Sequence, residues 1–193
     1  MFENLKNYHI ILASNSPRRR ELLAGLGIPF EVKVLPDIEE NYPADLAVTE
    51  IAAYIALEKA DAYRPTMGDN DLIITADTIV VVDNEVLGKP HDAADACRML
   101  RKLSNRTHQV ITGVCLTTKD KQRQFSVKTD VTFKALTEEE IEHYVTHYQP
   151  FDKAGAYGIQ EWIGYVGVTS LQGSYFNVMG LPVQRIYAEL SAM

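Results

Sequence analysis

Apolar residues along the chain are spaced now by two, now by about 3.6 positions, the mark of alternating strands and helices. Residues 8–12 form an apolar run that reads as a strand. A helical pattern follows over 21–26, opened by Ser16 as a side-chain cap and Pro17 in the first turn, and ended by Gly27. Residues 30–35 alternate as a second strand and run into an acidic loop at 37–40. From 46 to 63, Val48, Ile51, Ala52, Ile55 and Ala56 make one helical stripe, and Lys59 falls on it. Residues 72–82 form a long β-branched run, Asp83-Asn84 a hairpin turn, and 86–87 a return strand leading to Gly88-Lys89-Pro90, which hairpin folding brings back near Asp77. Asp92 caps a helix to 103, and two neighbouring strands follow over 108–118 and 125–135. Thr137 and Glu140 make a capping box that opens a helix closed by Pro150. Residues 152–160 then form a small-residue loop that lets backbone approach a ligand. A strand over 165–171, a turn at Gly173 and a final helix from Pro182 complete the chain. The order predicts a mixed α/β fold with no evident linker, hence one domain over 1–193.

Three places break this pattern. Arg18, Arg19 and Arg20 occupy the first turn of a helix, where the unpaired amides already carry partial positive charge. Arginines and amides together suit a phosphate group, the alternative being a solvated cluster on a surface turn. Asp77 lies within the apolar run 72–82, where an unpaired carboxylate costs several kcal/mol. It must face a cation, a metal or water, or else mark a bulge or turn between two shorter strands. Lys59 on its stripe is either a snorkelling lysine or a functional cation.

Composition narrows the ligand. The 193 residues are 46% hydrophobic and 23% charged, with a formal net charge of −7, which argues against an extended nucleic-acid surface. Clustered cations in such a chain point to a small anion. No apolar run reaches the length of a membrane span. Cys97 and Cys115 lack metal-ligand spacing and the N-terminal residues lack a signal-peptide core, so a cytoplasmic location is expected. The histidines share no ligand pattern, and His143 with His147 reads as an exposed helix face. No Walker loop or Gly-x-Gly-x-x-Gly follows a strand. Cations with a few carboxylates and no Ser-His-Asp set suit metal-assisted hydrolysis of a phosphoanhydride.

The segments Ala13 to Arg19, Glu58-Lys59-Ala60, Ala76-Asp77-Thr78, Gly88-Lys89-Pro90, Thr112-Gly113-Val114, Asp152 to Gln160, Gly173-Ser174-Tyr175 and Gly180-Leu181-Pro182 together resemble the Maf family of nucleotide pyrophosphatases. The resemblance spans nearly the whole chain. It implies an elongated mixed α/β sheet with flanking helices and a deep cleft between two lobes, as in inosine-triphosphate pyrophosphatases. It also implies hydrolysis of a nucleoside triphosphate to monophosphate and pyrophosphate with Mg²⁺ or Mn²⁺, by a homodimer. The form Ala-Gly-Ala-Tyr-Gly-Ile-Gln is similar to the branch acting on dTTP and UTP. Alternatives are a pyrophosphatase for 7-methyl-GTP or another modified purine nucleotide, and a non-enzymatic regulator of division or septum formation.

Carried onto this chain, the resemblance makes Asp77 the proton acceptor and places Arg18, Thr78 and Gln160 at positions of substrate choice. Glu40, Lys59 and Lys89 match supporting charged positions. The assembled site has Glu40 and Asp77 as catalytic and metal-holding carboxylates, with Glu39 as an alternative to Glu40. Ser16, Arg18, Arg19, Lys59, Thr78, Lys89 and Gln160 bind substrate. A carboxamide at 160 offers both acceptor and donors to the N3–H and O4 of uracil or thymine. Asn105 stands in a turn where relatives would carry glycine, and asparagine tolerates the positive φ required there.

Overall fold

The computed structural model describes residues 3–36 and 38–193, so Asp37 of the acidic loop and the first two residues lie outside the described residues. Among the described residues seven strands form one sheet in the order β2-β1-β3-β5-β6-β7, with β4 on β3. These are β1 (His9–Leu12), β2 (Glu31–Val32), β3 (Asp71–Val82), β4 (Glu85–Leu87), β5 (Thr107–Thr117), β6 (Gln122–Phe133) and β7 (Val168–Gln172). The chain divides into two compact units, one of Met1–Asp77, Thr112–Val127 and Gly180–Met193, the other of Thr78–Ile111 and Lys128–Met179.

In the first unit β1 lies parallel to both β2 and β3, pairing Leu12 with Val32 and with Ile74. Helix α1 (Pro17–Ala24) opens as the sequence predicts: the Ser16 hydroxyl accepts from the Arg19 N–H and Pro17 fills the first turn. The second strand spans only Glu31–Val32 rather than 30–35. Beyond it the Lys33 N–H still donates to the Leu12 carbonyl of β1 at 3.2 Å, and then the Tyr63 hydroxyl donates to the Lys33 carbonyl and accepts from the Leu35 N–H, so the chain passes from the strand to a helix. That helix, α2 (Val48–Tyr63), buries Ile51, Ile55, Ala56 and Ala60. It lies against β5 so closely that a Cβ at Gly113 would stand 2.2 Å from the backbone of Ala52 and Ala53. Only glycine permits that approach. Helix α7 (Val183–Ser191) buries Ile186 and Leu190.

The second unit is built on a core that includes Val80, Leu100, Phe133, Tyr144, Tyr157 and Ile163. Asp83 and Asn84, at φ 50° and 62°, make the β3–β4 hairpin turn, and Asn105 takes φ 57°. Asp92 caps α3 (Ala93–Leu103) through the Asp95 N–H, and Thr137 and Glu140 form the complete capping box of α4 (Glu138–Tyr148). The C-terminal part departs from expectation in three ways. Residues 153 and 155–159 are buried, with Gly155 packed against Val80, so backbone in this segment approaches the protein's own core. The strand expected from 165 begins only at Val168, because 162–167 coil into α5 (Trp162–Gly167) with Tyr165 exposed. A short helix, α6 (Tyr175–Met179), follows the Gly173 turn where none was expected.

His108 sits in this core, edge-on to Phe133 and Tyr157, with Nε2 2.6 Å from the Tyr157 hydroxyl. Burial pushes its pKa down from 6.5 to about 4. Between those values the unfolded chain takes up a proton that native His108 refuses, so stability is complete above pH 6.5 and falls as the pH drops, by about 3 kcal/mol in all. Urea melts at pH 7 and 4.5 should show this loss in the wild type, and a correspondingly smaller loss in His108→Asn.

Candidate active site

A largely buried cluster of charge lies in the first unit, on helix α2 and strand β3. Thr75 and Asp77, two apart on β3, share a face. The Thr75 hydroxyl donates to the Ala56 carbonyl at 2.6 Å, tying the strand to α2 one turn before Lys59. That tie sets Lys59 opposite Asp77, and its Nζ stands 2.9 Å from Asp77 Oδ1. The same Nζ stands 2.8 Å from Glu40 Oε1. The Lys59 and Asp77 side chains are only 12% and 11% exposed, whereas Glu40 is 49% exposed. So β3 runs unbroken through Asp77, whose burial is answered by a cation, and no bulge or turn is needed. Glu39 does not share this position: its Oε2 accepts from Asn41 Nδ2 at 2.7 Å, and it lines a depression of about 510 Å³ with Leu35, Ile38 and Glu58.

Arg19 joins the same region by its backbone contacts. It donates from Nε to the Gly180 carbonyl at 2.9 Å and from NH1 to the Ala76 carbonyl at 2.8 Å. Burial lowers its pKa, while the charges of Asp77 and Glu40 oppose that shift. A guanidinium keeps its charge even so. Two of its donors are therefore engaged by backbone carbonyls, one of them immediately before Asp77, where the sequence led us to expect a phosphate ligand. Arg18 is half-buried on α1, and the N–H of Ser16 donates to the Ser14 hydroxyl at 3.2 Å, which tightens the loop before the helix.

The remaining predicted residues belong to the second unit. Thr78 is half-buried and follows Asp77 on β3, so strand alternation turns it to the opposite face. Lys89 is exposed in the loop after β4 and makes no ion pair among the described residues. Gln160 is half-buried, and its Oε1 is buried with no hydrogen-bond partner among the described residues. A buried acceptor left in that state costs about 1–3 kcal/mol, which a ligand N–H would relieve.

A family model described as "Maf-like protein" matches residues 9–193. The chain belongs to the Maf family. Among curated relatives of this Maf chain, a protein of Phocaeicola vulgatus named dTTP/UTP pyrophosphatase is 65% identical over 193 residues, covering 100% of both chains. A protein of the same name from Bacteroides thetaiotaomicron is 59% identical, again with 100% of both covered. Among solved structures, the Staphylococcus aureus Ham1 protein matches with a TM-score of 0.57 at 16% identity, covering 95% of this chain and 98% of that one, which shows a shared fold.

Two features of this Maf chain had no place in the sequence expectations. One is the role of the Ala76 and Gly180 carbonyls as acceptors for Arg19, for which a backbone atom gives no sequence signal. The other is Lys153, whose side chain is 10% exposed and whose Nζ meets Asp152 Oδ1 at 2.8 Å and Glu161 Oε1 at 3.1 Å. A lysine inside a run of small apolar residues was the available cue. As a metal-binding set, Glu40 and Asp77 fit a divalent ion that also binds phosphate: two carboxylates, each met by Lys59 at one oxygen, are the usual protein share for Mg²⁺. Among the described residues no three His, Cys, Asp or Glu side chains form a cage, so the rest of such an ion's shell would be substrate and water.

Replacing Lys59 with methionine keeps the stem but removes the cation in direct contact with buried Asp77, leaving only the field of the Arg19 guanidinium. It should destabilise the protein by about 3 kcal/mol at pH 7. The double variant Lys59→Met/Asp77→Asn should regain much of that loss in denaturant melts, because the uncompensated charge is gone.

Proposed function

We propose that this chain hydrolyses dTTP and UTP to the monophosphate and pyrophosphate, the activity named for its relatives at 65% and 59% identity. Lys59, held between Asp77 and Glu40 and largely buried, carries this reading from the geometry. Asp77 takes a proton from water as the water oxygen bonds to the α-phosphorus. The bridging P–O bond to the β-phosphate breaks, and its electron pair leaves on pyrophosphate. Lys59 holds Asp77 and Glu40 in place as anions and offsets their repulsion toward the triphosphate. Ser16, Arg18 and Lys89 bind the phosphate oxygens. Arg19 holds the Ala76 carbonyl and with it the strand that presents Asp77, while its charge adds to the positive field around the phosphates.

Mg²⁺ or Mn²⁺, held by Glu40 and Asp77, would supply neutralisation of charge on the triphosphate. Thr78 and Gln160 serve substrate choice. The partnerless Oε1 of Gln160 supports an N–H donor on the ligand, which uracil and thymine both present at N3. The free thiols of Cys97 and Cys115 suit a reducing compartment, and no helix among the described residues is long and apolar enough to cross a membrane. We therefore assign the protein to the cytoplasm, acting as one functional domain over 1–193. The family resemblance supports a homodimer, which light scattering measures directly.

Pyrophosphate release from dTTP, UTP, CTP, GTP, ITP and 7-methyl-GTP, with Mg²⁺ and with Mn²⁺, should be selective for dTTP and UTP. Asp77→Asn should lower that rate by about 10²- to 10⁴-fold. Turnover of Asp77→Asn near the wild-type rate, or preference for a purine, would contradict the assignment.

A further inference from the structure

Residues Gly158, Ile159, Gln160 and Glu161 form a turn closed by the Glu161 N–H donating to the Gly158 carbonyl at 3.0 Å. Gln160 is its third residue. One hydroxyl bridges both ends of this turn: Tyr144 Oη accepts from the Gly158 N–H at 3.0 Å and donates to Glu161 Oε2. Tyr144 is 0% exposed, stacked against Tyr148 and part of the core of its unit, so the bridge comes from a fixed point on α4. Lys153 holds the other carboxylate oxygen of Glu161 at 3.1 Å. Burial and the neighbouring Glu161 carboxylate both raise the Tyr144 pKa, so the hydroxyl stays protonated and donating across the working pH range.

The packing around the turn leaves it little freedom. A Cβ at Gly158 would stand 3.0 Å from Glu161 Cδ and 3.1 Å from Lys153 Cε, so the Lys153–Glu161 pair fills the space beside Gly158. A Cβ at Gly164 would stand 1.8 Å from the Ile159 carbonyl oxygen, so α5 closes on the turn from its other side. Three of the four turn residues are thus held from outside, and the fourth carries the buried Oε1 that has no partner.

We propose that Tyr144, supported by Glu161 and Lys153, is a positioning residue that fixes the turn bearing Gln160 and thereby sets the base-recognition part of substrate affinity. The proposal rests on the assignment of Gln160 to the pyrimidine base. Tyr144 touches neither base nor phosphate in this scheme; it acts through Gln160 alone. A carboxamide must be placed within hydrogen-bond reach of N3 and O4 together, and a turn released at both ends loses that placement. Its loss should raise KM for UTP and dTTP and leave kcat close to the wild-type value.

The test is a double-mutant cycle on UTP hydrolysis, with Tyr144→Phe and Gln160→Ala singly and together, and with thermal melting to confirm folding. Tyr144→Phe should lower kcat/KM about tenfold through KM in the wild-type background and have no further effect in Gln160→Ala. Gly158→Ala, whose methyl would stand 3.2 Å from Glu161 Oε2, the acceptor of the Tyr144 hydroxyl, and so loosens the same bridge while Tyr144 stays in the core, should reproduce the KM effect and decides the matter if Tyr144→Phe does not fold. Equal fold-losses from Tyr144→Phe in both backgrounds, or a fall in kcat with KM unchanged, would show a purely structural role and overturn the proposal. Wild-type KM in Gln160→Ala would overturn the assignment of Gln160 itself, and the proposal with it.

Discussion

A carboxylate buried on a central strand must be matched by a cation, and the contact between Lys59 and Asp77 meets that requirement. Much of the first unit is arranged around it. Gly113 lets α2 lie directly on β5, and the Thr75 hydroxyl fixes β3 to the α2 backbone at Ala56. Lys59 then projects one turn further on, where its ammonium meets Asp77 and, from the acidic loop, Glu40. An ion pair this buried adds little net stability compared with apolar residues of the same volume. Its retention is better explained by what two anions and a cation can do together.

That trio also explains the chemistry assigned to the unit. Two carboxylates held close to one ammonium form a site of mixed charge, able to hold a metal ion and to take a proton from water without driving phosphate away. Arg19 extends the arrangement by gripping the carbonyl immediately before Asp77, so the same guanidinium anchors the strand and contributes its charge. Glu40, far more exposed than its two partners, sits where a ligand can approach, while Glu39 turns away to Asn41. We assign recognition of the base to the other unit, where a tightly held turn offers a buried acceptor with no hydrogen-bond partner among the described residues.

What could be read in the sequence was what depends on local chemistry or on a residue out of place. Ser16, Asp92 and the Thr137–Glu140 box cap their helices because capping needs only residues within three positions of each other. Asp83-Asn84 turns because both residues tolerate positive φ. Asp77 and Lys59 stood out as charges on apolar faces, and each proved to be the other's partner. Non-local contacts were not legible. The choice between Glu39 and Glu40 depends on how a loop folds back to Lys59, and the contacts of Arg19 end on carbonyls that have no sequence signature. Residues 152–160 have a loop's composition yet are mostly buried, because their glycines admit Val80 and the Lys153–Glu161 pair. The strand expected from 165 was shortened by a helical turn whose Gly164 packs against Ile159.

The claim that water is directed at the α-phosphorus beside Asp77 is tested most directly by hydrolysing dTTP or UTP in ¹⁸O-labelled water and locating the label by mass spectrometry. The account predicts one ¹⁸O in the nucleoside monophosphate and none in the pyrophosphate from a single turnover. Label in pyrophosphate, or release of inorganic phosphate with a nucleoside diphosphate, would contradict it.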